Sequence, residues 1–147
     1  MNAFVAAGAG FLLAVLWFDL MFDVQARGRG GPTEAAVTSS ATYYARVTTA
    51  ARPMNRLVAL TMLATLAAIV VQLAKGDGPA WVGWTSLALA AGAIGLAGAH
   101  TVPSAVRLGT RRDPLDDQGR LARVILRDHL VCLAAIAIIL VVQLGFG

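Results

Sequence analysis

Long apolar runs separated by short polar stretches dominate the chain, and they indicate its fold class. A helix needs roughly 20 mostly apolar residues to cross a bilayer. Four segments meet this requirement, at about residues 3–22, 54–74, 79–102 and 128–146. The connections between them are too short for a separate soluble domain. We therefore expect an all-α fold, a single integral membrane four-helix bundle over residues 1–147.

Composition agrees with this pattern. The 147 residues are 58% hydrophobic and 14% charged, whereas soluble domains carry about 25% charged residues. The first apolar run differs from a signal peptide, because it has no basic start and no small-residue cleavage site at its end. We expect it to be retained as the first span.

The basic residues predict the orientation of the bundle. Only Lys75 lies in the connection between the second and third spans, whereas eleven arginines lie in or beside the other two connections. Cytoplasmic loops collect Lys and Arg, so we expect both long loops in the cytoplasm, both termini outside, and the chain in the plasma (inner) membrane. The arginines are Arg27, Arg29, Arg46, Arg52, Arg56, Arg107, Arg111, Arg112, Arg120, Arg123 and Arg127.

The net charge of +4 and the pI near 10.2 follow from these loops. Contact with anionic lipid headgroups is the expected role of such basic loops. Nucleic acid is not an expected partner, because no basic groove with interleaved aromatic residues is present.

The two long connections carry local helix signals. Thr33 and Glu34 resemble a helix start, and residues 34–51 form an apolar face that includes Val37 and Ala41. This pattern predicts a short interfacial helix, with Tyr43 and Tyr44 at the level of the lipid headgroups.

The third and fourth spans carry boundary signals of their own. Pro103 is expected to end the third span, and Asp116 or Asp117 to cap the fourth. Cys132 is the only cysteine and falls inside the fourth span, where a small apolar packing role is expected.

Two aspartates at the end of the first span raise the main functional question. Asp19 and Asp23 are four residues apart and therefore share one helix face. A carboxylate inside the apolar layer is costly and normally faces the bundle interior. We expect Asp19 to lie within salt-bridge reach of Arg56 or Arg127, directly or through water.

All four spans bring ionisable groups to this same level. The sequence therefore predicts a ligand pocket at the cytoplasmic mouth, for a lipophilic or quinone-like molecule entering from the inner leaflet. The candidate catalytic residues are His129, Asp19 and Asp23, and the candidate ligand-binding residues are Arg56, His100, Arg127 and Asp128. His129 is the first choice for proton transfer, with Asp19 or Asp23 as the orienting partner.

Two cofactor hypotheses involve the same residues. Asp19, Asp23, His100 and His129 offer carboxylate and imidazole ligands for a metal ion, although no metal-binding motif accompanies them. A haem between His100 and His129 is the less favoured hypothesis, because two histidines in the whole chain are thin evidence.

The stretches "AHTVPSAVRLG", "DPLDD" and "LARVILRDHLVCLAA" resemble the anthrone-oxygenase-like four-helix membrane proteins. Pro103, Asp116 and His129 stand at the corresponding places, whereas Thr101, Ala105 and Asp128 replace family asparagines. The resemblance implies the same four-helix membrane architecture and indicates His129 as a functional residue. In the family's named members the activity is a cofactor-free oxygenation of polycyclic aromatics.

A non-enzymatic alternative is an accessory subunit or homo-oligomer whose charged cluster is structural. Small residues recur at four-residue spacing, as in Gly95 and Ala99, and such faces let membrane helices pack closely. We expect Gly95 and Ala99 to lie against a neighbouring helix. Residues 52–76 also resemble residues 123–147, with "VVQL" in both, which suggests a duplicated hairpin around a pseudo-two-fold axis.

Overall fold

The computed structural model describes residues 1–27 and 31–147, apart from the Arg52 side chain. Arg29 and the Arg52 side chain, which contribute to the charge distribution that predicts the orientation, therefore lie outside the described part. The described residues are helical and form no strand. The helices are α1 (Asn2–Asp23), α2 (Glu34–Thr49), α3 (Arg52–Lys75), α4 (Ala80–Leu96), α5 (Val102–Thr110) and α6 (Leu115–Phe146), with a 3-10 turn at Val24–Arg27 and a π-helical turn at Ala97–Thr101.

In the described part of the chain, four helical stretches are long and apolar enough to cross a membrane, the same number as the sequence predicts. They are Asn2–Arg27, Pro53–Lys75, Ala80–Thr110 and Leu115–Phe146. The third and fourth are longer than predicted, because their helices continue beyond the apolar runs into the polar connection.

Pro103 does not end the third span, contrary to prediction. A proline inside a regular α-helix lacks a hydrogen-bond donor and crowds the carbonyl four residues before it. Here the backbone widens into the π-helical turn immediately before α5, and Pro103 then occupies the first turn of α5, where proline is tolerated. The helical path therefore continues to Thr110.

The long helices are arranged around a central apolar core. α1 and α4 each pack against both α3 and α6, so α3 and α6 stand diagonally across the bundle. Val5, Ile69 and Ile139 are fully buried between them. Gly83 of α4 is buried against the side chain of Leu73 of α3, and this small residue lets the two helices approach closely.

α2 is a helix, as predicted, and it packs against α5 and α6. The hydroxyl oxygen of Thr33 accepts a hydrogen bond from the Ala36 backbone N–H at 3.2 Å and caps its first turn. Val37 and Ala41 are buried, as the pattern of the sequence predicts. A Cβ at Gly109 of α5 would lie 2.9 Å from the backbone nitrogen of Ala45, so glycine permits the close packing of α2 on α5.

The start of α6 differs from the prediction. Pro114 occupies the cap position, and Asp116 and Asp117 lie in the first helical turn. Carboxylates in a first turn are favourable because the helix dipole is positive there. Asp117 also accepts a hydrogen bond from Arg120 at 2.6 Å.

The chain ends meet at one end of the bundle. Gly147 lies beside both Asn2 and Gly78 of the tight α3–α4 turn, where Gly76 and Gly78 have positive φ angles. The opposite end carries α2, α5 and the start of α6.

The predicted packing of Gly95 and Ala99 is wrong for the single chain. Both are exposed, and a Cβ on Gly95 would meet no described atom within 4 Å. Cys132 is buried, as its apolar surroundings predict.

Candidate functional site

Asp23 is the centre of a buried hydrogen-bond network at the end of α1. Its Oδ2 lies 2.6 Å from Nδ1 of His129 on α6, and its Oδ1 accepts a hydrogen bond from the Tyr44 hydroxyl at 2.6 Å. The Asp23 residue is only 2% exposed. One carboxylate therefore joins α1, α2 and α6, and it orients the His129 ring as the sequence predicts.

Asp19 lies one turn earlier on the same face of α1, because residues four apart stack along a helix. Its Oδ1 accepts a hydrogen bond from the Tyr43 hydroxyl at 2.5 Å. Tyr43 is held in turn by Phe22, whose ring stacks on it with centroids 4.0 Å apart. We name Asp19, Asp23, Tyr43, Tyr44 and His129 the carboxylate cluster.

The two tyrosines act as hydrogen-bond donors. Burial raises the pKa of the Tyr43 hydroxyl well above its ordinary value, and the hydrogen bond to Asp19 raises it further. Burial also raises the pKa of Tyr44, and the neighbouring Asp23 charge adds to the effect. Both phenols therefore keep their protons at physiological pH and donate to the carboxylates.

This network corrects one prediction. No described arginine lies within salt-bridge distance of the Asp19 carboxylate, so the predicted direct ion pair with Arg56 or Arg127 is wrong. The hydroxyls of Tyr43 and Tyr44 bond to the carboxylates of α1 instead. A neutral phenol therefore takes the place beside each carboxylate that the sequence led us to expect for an arginine.

A second histidine–carboxylate pair lies on the neighbouring face of α6. Asp128 is 1% exposed, and its Oδ2 lies 2.5 Å from Nδ1 of His100. The same oxygen accepts a hydrogen bond from the Thr101 hydroxyl at 3.3 Å. His100 and Thr101 both belong to the π-helical turn, so this turn presents two consecutive side chains to one carboxylate. Arg127 approaches Asp128 at 3.4 Å but is itself largely exposed.

The predicted metal ligands divide between these two pairs. His129 bonds to Asp23, whereas His100 bonds to Asp128. Within residues 1–27 and 31–147, no three His, Cys, Asp or Glu side chains are grouped in a way suited to a metal ion. The donor geometry thus gives the metal hypothesis no support, and each histidine bonds to a different carboxylate through its Nδ1.

A cavity of about 430 Å³ begins at the carboxylate cluster and extends into the bundle. Its volume falls within the range of roughly 300–1,000 Å³ that is typical of small-molecule sites. Its polar end is lined by Asp19, Tyr43, Tyr44 and His129, and further along by Asn55 and Thr101. Most of the remaining lining is apolar, including Leu12, Val58, Met62, Ala93 and Ile136. The cavity therefore lies beside His129, the residue that the sequence nominates for proton transfer.

The cavity has a side opening. α3 packs against α4 but makes no contact with the π-helical turn or with α5, so the second and third spans separate at this depth. Met54 and Ala59 line one side of the gap, Val102 and Val106 line the other, and all four are exposed. We name these four residues the lateral opening. Because it is apolar, it suits contact with lipid.

The cavity contains only part of the predicted site. Asp19 and His129 line it, and Asp23 lies directly behind His129. Arg56, His100, Arg127 and Asp128 do not line it. Contrary to prediction, no arginine among the described side chains lines the cavity, so none is placed to bind a ligand there.

Sequence reasoning missed the tyrosines as site residues. Two adjacent tyrosines on an amphipathic helix do indicate buried hydrogen bonding, because a buried phenol usually finds a hydrogen-bond partner. Their partners, Asp19 and Asp23, depend on how α2 packs against α1. Thr101 and Asn55 carried no distinguishing pattern.

A second buried polar group lies near the chain termini and differs in chemistry. Gln72 of α3 and Gln143 of α6 exchange two side-chain hydrogen bonds, at 3.3 and 3.0 Å. Gln72 also donates to Asn2, and Gln143 donates to Ser86. We name these four residues the amide cluster. The two glutamines are equivalent residues of the "VVQL" repeat, and they bond to each other across the bundle.

Comparison of the chain with protein-family models, with curated proteins and with solved structures finds no match.

Proposed function

We propose that this membrane protein binds a lipophilic small molecule in the cavity and that His129 exchanges a proton with the polar group of that molecule. The observation that carries the proposal is the position of His129, which lines an otherwise apolar cavity while Asp23 holds its Nδ1 from behind.

The His129–Asp23 pair has the geometry of an oriented general base. With Nδ1–H donated to Asp23, Nε2 is the nitrogen that remains for a ligand, and no described residue bonds to it. An imidazole titrates near neutral pH and can both accept and donate a proton. Asp23 acts as a positioning residue, since it bonds to the imidazole and does not line the cavity.

The lateral opening indicates how the ligand enters. Its four exposed apolar residues place the entrance within the span of the helices, so a molecule dissolved in the bilayer reaches the cavity without passing through water. The unequal distribution of arginine supports cytoplasmic long loops and external termini. On this basis we propose entry from the inner leaflet of the plasma (inner) membrane.

The resemblance to anthrone-oxygenase-like proteins agrees with this proposal in one respect. It nominates His129, the residue that lines the cavity. An apolar cavity of this size also suits a quinone-like or polycyclic molecule.

A second candidate function is that of an accessory subunit or homo-oligomer. The exposed face of α4 and of the π-helical turn favours it, because Ala88, Gly92, Gly95 and Ala99 all lie on the outside of the bundle. A neighbouring helix packs closely against such small residues.

The sole cysteine provides a test of the proposed function. Cys132 is buried and lines the cavity, so its alkylation reports access to the cavity. In lipid nanodiscs we expect the apolar reagent N-phenylmaleimide to label Cys132 and a permanently charged thiol reagent to fail. Ala59→Trp at the lateral opening should slow labelling about tenfold, since access falls with the population of open states.

Ala67→Trp is the matched control, because Ala67 lies on the same helix, is exposed and does not line the cavity. It should leave the labelling rate unchanged. Equal slowing by both tryptophans, or rapid labelling by the charged reagent, contradicts lateral entry. His129→Ala should then weaken protection of Cys132 by bound ligand while the fold persists.

A further inference from the structure

We infer that the ligand of this cavity is a lipophilic amine, which binds as a cation with its ammonium group at Asp19. The inference rests on the proposed function, because it names the chemical class of the molecule that occupies the same cavity. It replaces the expectation that Arg56 and Arg127 bind the polar end of the ligand.

The first argument is the charge of the cavity. Asp19 and His129 line the polar end, Asp23 lies against His129, and no Lys or Arg among the described side chains lines the wall. Even with His129 protonated, two carboxylates and one imidazolium leave a formal charge of −1. An unpaired charge in an apolar environment is costly, and a cationic ligand supplies the missing counter-charge.

The second argument is the hydrogen-bonding capacity that remains open. One oxygen of Asp19 is bonded to Tyr43, whereas the other has no described partner. Nδ1 of His129 is bonded to Asp23, so Nε2 is the free position of the ring. A carboxylate oxygen accepts hydrogen bonds, and so does Nε2 of a neutral imidazole. An ammonium group donates hydrogen bonds and therefore matches either position, and even the single N–H of a tertiary ammonium is enough to bond to Asp19.

The third argument concerns competing ligands. A carboxylate or phosphate would face Asp19 directly and would be repelled by Asp23 behind it. A neutral alcohol can donate one hydrogen bond to Asp19, but it leaves the charge uncompensated. A charge-assisted hydrogen bond is roughly twice as strong as a neutral one, so the amine should bind most tightly.

The rest of the cavity accommodates the apolar part of such a molecule. Leu12, Val58, Met62 and Ile136 line the wall beyond the polar end. The lateral opening joins this apolar region to the surface of the bundle. An amine with an alkyl or aryl substituent can therefore place its nitrogen at Asp19 and its substituent between α1, α3 and α4.

The test compares three ligands that share a ten-carbon chain: N,N-dimethyldecylamine, 1-decanol and decanoate. Each is added to the protein in nanodiscs at neutral pH, and the rate of Cys132 alkylation by N-phenylmaleimide is measured. We expect half-protection at a concentration about tenfold lower for the amine than for the alcohol, and no protection by decanoate. Asp19→Asn should remove the preference for the amine while leaving protection by the alcohol in place.

Two controls separate binding from effects on the bilayer. A Cys132→Ala, Ala67→Cys variant places the thiol on the exposed face of α3, where none of the three ligands should alter its alkylation. Asp77→Asn removes an exposed carboxylate in the α3–α4 turn and should leave the preference for the amine intact.

Equal protection by amine and alcohol, stronger protection by decanoate, or an unchanged amine preference in Asp19→Asn would overturn the amine assignment and leave the cavity as a binding site. If none of the three ligands protects Cys132, both the assignment and the proposed function fail.

Discussion

The two ends of the bundle each bury a group of polar side chains, but they use different chemistry. In the amide cluster every partner is neutral, and Gln72 and Gln143 satisfy one another's amides as well as Asn2 and Ser86. In the carboxylate cluster the partners are ionisable. There, one oxygen of Asp19 and Nε2 of His129 have no described partner.

The helix packing around the two clusters also differs. Beside the amide cluster, Gly83 brings α4 close to Leu73 of α3. Beside the carboxylate cluster, α3 separates from the π-helical turn and α5, and the cavity of about 430 Å³ opens. A neutral network whose amides bond to one another, beside a cavity of only about 150 Å³, has the character of a structural element. An incompletely bonded charged network beside a cavity has the character of a binding site.

The largest expected effect is that of Asp23→Ala. Removing this carboxylate leaves the buried Tyr44 hydroxyl and the His129 ring without their partner, and breaking a buried pair of this kind costs roughly 3–5 kcal/mol. The free energy of unfolding, measured in detergent, should fall by roughly this amount. Asp77→Asn, an exposed carboxylate at the other end, should change stability by less than about 0.5 kcal/mol. Equal losses in the two variants would show that Asp23 does not hold the helices together.

The tight packing at the other end is tested on a single helix. Gly83→Leu forces a side chain into Leu73 and should destabilise the bundle by about 1–3 kcal/mol. Gly95→Leu projects into open space and should leave the thermal stability of the monomer unchanged. If Gly95→Leu instead dissociates an oligomer in size-exclusion chromatography, the exposed face of α4 is an interface and the accessory-subunit alternative gains weight.

The amide cluster allows a double-mutant cycle. Gln72→Leu alone leaves Gln143 with an unpaired amide and should cost about 1 kcal/mol. The Gln72→Leu, Gln143→Leu variant should recover part of that loss, because both amides are removed together while Asn2 and Ser86 still lose their glutamine partners. None of these variants should alter protection of Cys132 by the amine. A change in that protection would mean that the two clusters are coupled.

The smallest effect is expected for Tyr43→Phe. The ring still stacks on Phe22, but the hydrogen bond to Asp19 is lost, at a cost of about 0.5 kcal/mol. The functional effect should exceed the structural one, since both oxygens of Asp19 are then open to the ligand. Calorimetric unfolding and the Cys132 protection assay, applied to the same sample, distinguish the two effects. A large loss of stability without any change in protection would assign Tyr43 a purely structural role.

The sequence by itself determined the membrane architecture. Apolar run lengths predicted four spans, and all four are present. Thr33 and Glu34 predicted the start of α2, and the spacing of Asp19 and Asp23 placed both carboxylates on one face. These features depend on local periodicity and on transfer to lipid, and both act within a single helix.

Tertiary structure decided which polar groups meet. Asp19 was expected to pair with arginine, yet α2 packs so that Tyr43 reaches it first. His100 and His129 were considered together, yet the π-helical turn directs His100 to Asp128 while α1 presents Asp23 to His129. The path through Pro103 likewise depends on a local widening of the helix. Partner choice among several ionisable groups at one depth is set by helix rotation and by close packing between helices, which one-dimensional spacing does not encode.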